Sequence, residues 1–106
     1  MFGFFKSKKV NIYAELNEIA ENIYKDFGFN RENVSYELSS QKNIGEAYGW
    51  REGYKQFKIV IGIKNYIDAN AIDDIHRVYF KNTLFHEFVH ANTFLNTPEK
   101  LYKSFH

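Results

Sequence analysis

The sequence contains no cysteine among its 106 residues. That absence excludes disulfide bonds, iron–sulfur clusters and thiolate zinc sites. Any zinc ion must therefore be held by histidine and carboxylate side chains. A chain without cysteine also fits a cytoplasmic protein, and the cytoplasm is where we expect this one to act.

Long apolar runs are missing as well. No segment approaches the roughly 20 apolar residues that a membrane span requires. The first five residues are apolar, but they are too few for the hydrophobic region of a signal peptide, and they precede Lys6, Lys8 and Lys9 instead of following them. We therefore expect no membrane partner.

The sequence has no large excess of either charge, since its formal net charge is +1. This balance does not support nucleic acid as a partner. Apolar residues make up 44% of the chain and aromatic residues 19%, so Phe and Tyr must fill much of the core. A chain of this length builds one core, and we predict a single domain over residues 1–106.

Apolar spacing of three and four predicts an amphipathic helix over residues 11–27, with Gly28 as its C-terminal cap. Alternation of apolar and polar residues predicts strands at 34–39 and 54–63, and a short strand at 47–50 that forms a hairpin with the last. We expect an α+β fold with a three-stranded, mostly antiparallel sheet. Residues 65–70 are predicted to be a polar loop.

A second long helix is predicted to begin at Asp73 or Asp74, either of which can cap it. Its apolar residues, Val78, Phe85 and Val89 among them, are expected to face the sheet. His76 is nearly three turns before the next histidine and is predicted to be a surface or packing residue. After Thr97 and Pro98, a short helix to about residue 105 is expected.

The stretch from residue 83 to residue 92 contains the pattern His-Glu-x-x-His. On a helix, His86 and His90 lie on one side and can offer two imidazole nitrogens to one Zn²⁺ ion. Glu87 can then serve as the general base toward water, and we expect the three side chains to face a cleft. The alternative is an ordinary amphipathic helix with two solvated histidines.

These residues resemble the SprT-like metallopeptidases. The resemblance rests on Gly-Glu-Ala-Tyr-Gly at 45–49, on Phe-Lys-Ile-Val-Ile at 57–61 and on residues 83–91 around the motif. It implies a small zincin-like domain in which the helix with the motif is the active-site helix. It also implies that His86 and His90 bind zinc and that Glu87 is the general base.

The family places a third zinc-binding histidine downstream, where this sequence has Asn96. Two other side chains have suitable chemistry, Glu99 and His106, and both are candidate metal ligands. Asn96, a partner chain or the absence of a third protein ligand remain alternatives. Tyr48, Tyr54 and Tyr102 are candidate donors to a developing oxyanion, and none is assigned that role.

The predicted function is zinc-dependent hydrolysis of peptide bonds in a protein or peptide substrate that lies extended along an edge of the sheet. The alternative is an interaction or regulatory protein that binds a partner, with or without zinc, and does not cleave it. The family's C-terminal segment for binding DNA has no counterpart in this sequence. A protein partner for targeting is therefore an expectation.

Overall fold

The computed structural model describes residues 11–43, 47–53 and 56–98, and for residues 47–53 it describes the backbone. In chain order the elements are α1 (Ile12–Phe27), β1 (Val34–Ser39), β2 (Ala47–Gly53), β3 (Gln56–Gly62), α2 (Lys64–Ala69) and α3 (Asp74–Asn96). Glu99 and His106, and the predicted short C-terminal helix, lie outside the described residues.

Helix α1 begins and ends where its sequence pattern predicts. Its buried side chains recur at helical spacing on the side that faces the core: Ile12, Leu16, Ala20, Ile23 and Tyr24. Gly28 follows the helix with a positive φ of 73°, and its N–H donates to the carbonyl of Lys25. Glycine adopts this left-handed conformation at little cost, which confirms its predicted role as the cap.

The three strands form one sheet in the order β1-β3-β2. β2 and β3 run antiparallel, with Ala47 opposite Ile61, but β1 and β3 run parallel, with Val34 opposite Phe57. The prediction of a mostly antiparallel sheet is therefore wrong. β3 is buried on both faces, at Ile59 and Ile61 on one and at Val60 on the other, and this favours a central position for it.

The chain places β3 between the other two strands by passing from β1 to β2 across the end of β3. The described part of this connection lies against Gly62, where an added Cβ would be 1.9 Å from the carbonyl oxygen of Asn43. Backbone hydrogen bonds from Ile63 to Ser39 and from Lys64 to Lys42 fasten the connection there. Gly62 is thus required by a close backbone approach.

Helices α1 and α3 cover the same face of the sheet. The ring of Phe88 on α3 packs edge-on against four other aromatic rings, those of Tyr24, Phe27, Phe29 and Tyr36. Phe94, two turns further along α3, packs against Phe57 of β3. This aromatic core fixes the position and the rotation of α3, on which the candidate site lies.

Residues 64–69 form helix α2, so the prediction of a polar loop there is wrong. The helix has six residues and buries one side chain, Tyr66, whose hydroxyl donates to the carbonyl of His76 on α3. Its exposed positions are polar, and Lys64 pairs with Asp68 one turn later. A helix this short with one buried residue has too few apolar positions to show a helical period.

Candidate metal centre on helix α3

Helix α3 is continuous from Asp74 to Asn96, with Asp73 as its N-cap. The Asp73 carboxylate accepts a hydrogen bond from the backbone N–H of His76 at 2.9 Å, and the same hydrogen bond lowers the pKa of Asp73. Thr83 lies in the middle of the helix and donates its hydroxyl proton to the carbonyl of Tyr79. Because that hydroxyl is satisfied within the helix, the polar pair at 82–83 does not interrupt α3.

The helix is rotated away from the predicted orientation. Its buried face consists of Phe80, Leu84, Glu87, Phe88, Ala91 and Phe94. Val78, Phe85 and Val89 were expected to face the sheet, and that prediction is wrong because all three are exposed. Apolar residues occur on both sides of α3, and periodicity does not tell which side meets the sheet.

His86 and His90 lie on an exposed side of α3, with their Nε2 atoms 3.3 Å apart. Their ring centroids are 4.7 Å apart and the ring planes are nearly perpendicular, at 84°. Zn–N bonds of about 2.0–2.1 Å at a tetrahedral angle place two nitrogens about 3.3–3.4 Å apart. The observed separation of the two Nε2 atoms therefore matches that of two ligands of one tetrahedral ion.

The same separation permits one other arrangement. A proton on one Nε2 can be donated to the lone pair of the other, which gives a weak hydrogen bond between two neutral rings. Both arrangements need at least one lone pair turned toward the space between the rings. The pair is therefore arranged to share a small electrophile, whether a proton or a metal ion.

Glu87 does not lie on the same side of the helix as the histidines. Only 7% of its surface is exposed, and it belongs to the buried face of α3 beside Leu84 and Ala91. Successive helical residues are about 100° apart, so its side chain leaves the helix a quarter of a turn from His86. The three side chains therefore differ in burial, with both histidines exposed and Glu87 largely covered.

The Glu87 carboxylate nevertheless keeps access to water. No described residue forms a hydrogen bond or an ion pair with it. Within the described ranges, no side-chain nitrogen or oxygen is both sealed from solvent and without a partner. The carboxylate therefore reaches solvent, although most of Glu87 is buried.

The described residues supply two metal ligands and no third. In residues 11–43, 47–53 and 56–98, no group of three or more His, Cys, Asp or Glu side chains could hold a metal ion. Asn96 is described, and its amide donates to the carbonyl and to the side chain of Asn92 at 2.9 and 3.2 Å. Both predicted third ligands belong to the part of the chain that is not described.

Other candidates from the sequence are placed as follows. His76 is on the surface, where its Nδ1 lies 2.9 Å from Asp73 and its ring packs edge-on against Tyr66. It is about 15 Å along the helix from His86 and takes no part in the pair. Tyr54, Tyr102 and the side chain of Tyr48 fall outside the description.

One polar cluster has no signal in the sequence. Glu21 of α1 accepts hydrogen bonds from Arg31 and from the Tyr36 hydroxyl, and the Arg31 guanidinium lies 4.2 Å from the centre of the Tyr24 ring. Arg31, and then Tyr36, lower the pKa of Glu21, whereas burial raises that of Tyr36. Arg31 and Tyr36 lie ten and fifteen positions after Glu21, and these contacts fasten β1 to α1.

Searches of protein-family models, curated proteins and solved structures find no match to this chain. Within the described ranges, every helix is too short or too polar to span a bilayer. The chemistry of α3 is thus the basis on which a function can be assigned.

Proposed function

We propose that the protein binds one zinc ion through His86 and His90 and hydrolyses peptide bonds, as the resemblance to SprT-like metallopeptidases implies. One observation carries the proposal, namely the 3.3 Å separation of the two exposed Nε2 atoms. Imidazole nitrogen is a preferred zinc ligand, and the two exposed rings already hold their Nε2 atoms at the separation that one tetrahedral ion requires. In this proposal the third ligand is Glu99 or His106, and the protein acts in the cytoplasm.

When bound, Zn²⁺ acts as a Lewis acid that polarises a peptide carbonyl and lowers the pKa of a nearby water. The chain's own residues do the remaining work. His86 and His90 hold the ion with Nε2, which leaves each Nδ1–H free to be oriented by water or by a neighbouring group. Glu87 accepts the proton of the attacking water and delivers it to the departing amine.

The substrate is proposed to be an extended peptide. Among the described residues β2 pairs with β3 and with no strand on its other side, so backbone N–H and C=O groups remain along that edge. A peptide added there gains main-chain hydrogen bonds while it lies beside α3, on which both the histidine pair and Glu87 are located.

The experiment that tests the metal site is a zinc analysis of protein purified without a histidine tag. We expect about one zinc per chain, and an affinity at least about 100-fold lower in His86→Ala and in His90→Ala. His76→Ala is the matched control, because it removes an exposed histidine from the same helix and should leave the affinity unchanged. Wild-type protein that folds normally and binds no zinc would overturn the proposal.

Catalysis is tested separately with Glu87→Gln. This variant should keep its zinc, since Glu87 is not a ligand, and should lose cleavage of a peptide library by at least about 100-fold. Cleavage that survives the change would show that another group is the base. Zinc lost from Glu87→Gln would instead make Glu87 a ligand.

A second candidate is a binding protein that does not cleave its partner. Five large apolar side chains on the outward side of α3 favour it, because they offer a surface for another protein: Ile75, Val78, Tyr79, Phe85 and Val89. In that case Glu87→Gln would leave partner binding unchanged and no peptide would be cleaved with zinc present.

A further inference from the structure

The outward side of α3 carries a row of apolar side chains that we name the α3 seam. It consists of Ile75, Val78, Asn82, Phe85 and Val89. Ile75 is 78% exposed, and Val78, Phe85 and Val89 are each exposed by about half, at 56%, 47% and 53%. The outward side of a surface helix is normally polar, whereas a helix that is apolar on two sides is normally buried on both. The seam therefore has the character of an uncovered interface.

The spacing within the seam is three, four, three and four residues. This is the 3.5-residue repeat with which two helices pack side by side, and it is narrower than the face with which a helix packs on a globular core. In heptad terms Ile75, Asn82 and Val89 occupy the a positions, and Val78 and Phe85 the d positions. The repeat runs along α3 without a break, because the helix is continuous over all five residues.

The residue types at these positions favour a particular partner. In parallel coiled coils, β-branched side chains at a combined with leucine at d favour two strands. Ile75 and Val89 supply the β-branched a positions, whereas the d positions are Val78 and Phe85. A single asparagine among the a positions sets the register of such a pair, because its amide is satisfied when it meets the same amide across the interface. Asn82 lies at the middle a position and is exposed. The best match for this surface is therefore the same surface on a second copy.

We propose that two copies of this chain associate through the α3 seam as a parallel, in-register helix pair, with Asn82 facing Asn82 of the second copy. The exposed parts of the four apolar side chains present roughly 400 Å² per copy, so a pair would bury about 800 Å² from them, which is the size of a weak, transient interface. A net charge of +1 gives little repulsion between copies. The expected dimer is accordingly weak, with a dissociation constant in the micromolar range.

The interface does not depend on the proposed metal site. His86 lies at the edge of the seam and His90 further round the helix, so neither is part of the apolar row. Association should therefore persist in EDTA, and failure of the zinc proposal would leave this one standing. A dimer that forms only with zinc would contradict the seam as its cause.

The first test is sedimentation equilibrium of the full chain in EDTA, from about 1 to about 500 µM. Val89→Lys should weaken association at least about tenfold, because it places a charge in the apolar row. Tyr13→Lys is the matched control, since Tyr13 is an exposed apolar residue on α1, outside the seam. Asn82→Ile should tighten association, because the polar residue sets the register at a cost in stability. A wild-type chain that is monomeric throughout would overturn the proposal.

The second test fixes the direction of the helices and uses the absence of cysteine from the chain. In a parallel pair, Ile75→Cys and Val89→Cys should each form a disulfide with the same position of the second copy. In an antiparallel pair these equivalent positions are about 21 Å apart, and only a mixture of the two variants would cross-link. That pattern would refute the parallel arrangement. If the variants stay monomeric and their new thiols are protected from thiol reagents, another part of the chain covers the seam. That result would also overturn the proposed dimer.

Discussion

Replacing Glu87 with methionine should make the protein more stable, because Glu87 holds a carboxylate on the buried face of α3. Its surface is 7% exposed, and no described residue donates a hydrogen bond to it. Methionine has a similar length and a similar helix propensity, so the substitution changes little besides the polar group. The experiment therefore measures how much the buried carboxylate lowers the free energy of unfolding.

The magnitude follows from the burial. Desolvating a polar group without a compensating hydrogen bond costs about 1–3 kcal/mol in proteins. Since the Glu87 carboxylate still reaches water, we expect the lower part of that range. Glu87→Met should raise the free energy of unfolding by about 1–2 kcal/mol, and each kcal/mol should raise Tm by about 4–8 °C in a domain of this size.

The assay is urea and thermal denaturation in EDTA, with Glu18→Met as the matched control. Glu18 is an exposed glutamate on α1, and its replacement should change stability by less than about 0.5 kcal/mol. With zinc added, wild type and Glu87→Met should gain the same increase in Tm, because both keep the histidine pair. Unequal gains would assign Glu87 to the metal.

A loss of stability in Glu87→Met would refute the reasoning. It would mean that another group within the fold binds the carboxylate. That contact would then be enough to explain why Glu87 is buried. A general base must be free to take a proton, so the catalytic role of Glu87 would lose its physical ground. A gain in stability is the expected result for a group kept at a cost because its chemistry is used.

Two further predictions concern the fold. Gly62→Ala should lower the free energy of unfolding by about 2–4 kcal/mol in urea denaturation, because its Cβ would lie 1.9 Å from the backbone oxygen of Asn43. A change close to zero would mean that the connection after β1 moves freely away from Gly62. Arg31 lowers the pKa of Glu21 from about 4.5, so the stability from this charge is present above that pH and is lost as pH falls through the lowered value. Glu21→Gln should therefore cost about 1 kcal/mol or less at pH 7 and progressively less as the pH falls below about 4.5. A cost that does not change with pH would exclude an electrostatic origin.

Helix α1 could be predicted to within a residue because its signals agree. Its buried apolar residues recur on one side, and Gly28 marks the end with a conformation that other residues avoid. Strand β1 could be predicted equally well, since Val34, Tyr36 and Leu38 alternate with polar residues. Local patterns determine both elements, and no distant contact overrides them.

The order of the strands could not be predicted from the same patterns. Alternation tells which residues share a face of a strand, but it does not tell which strand lies beside it. The short connection between β2 and β3 predicts an antiparallel pair, as found. The parallel pairing of β1 with β3 depends on the connection that crosses at Gly62, and a glycine in a strand does not by itself identify what approaches it.

The motif was found from the sequence, but its orientation was not. Helix α3 has apolar residues on two sides, and either side satisfies a helical period. The structure buries the side with Phe80, Leu84 and Phe88, which form the larger aromatic and aliphatic contacts. Val78, Phe85 and Val89 remain outward.

The rotation of α3 also determines how a substrate must approach. Because His86 and Glu87 are consecutive on a helix, their side chains diverge by about 100°, and no rotation of the helix brings them onto one face. The two histidines are exposed, whereas Glu87 belongs to the buried face of α3. A group that is to meet both must lie at the boundary between these two sides. The proposed peptide along the outer edge of β2 would have to meet this condition, whereas one lying across the outward seam of α3 cannot, since the helix itself would separate it from Glu87. If the protein is a peptidase, its substrate and its second copy therefore occupy different sides of the same helix.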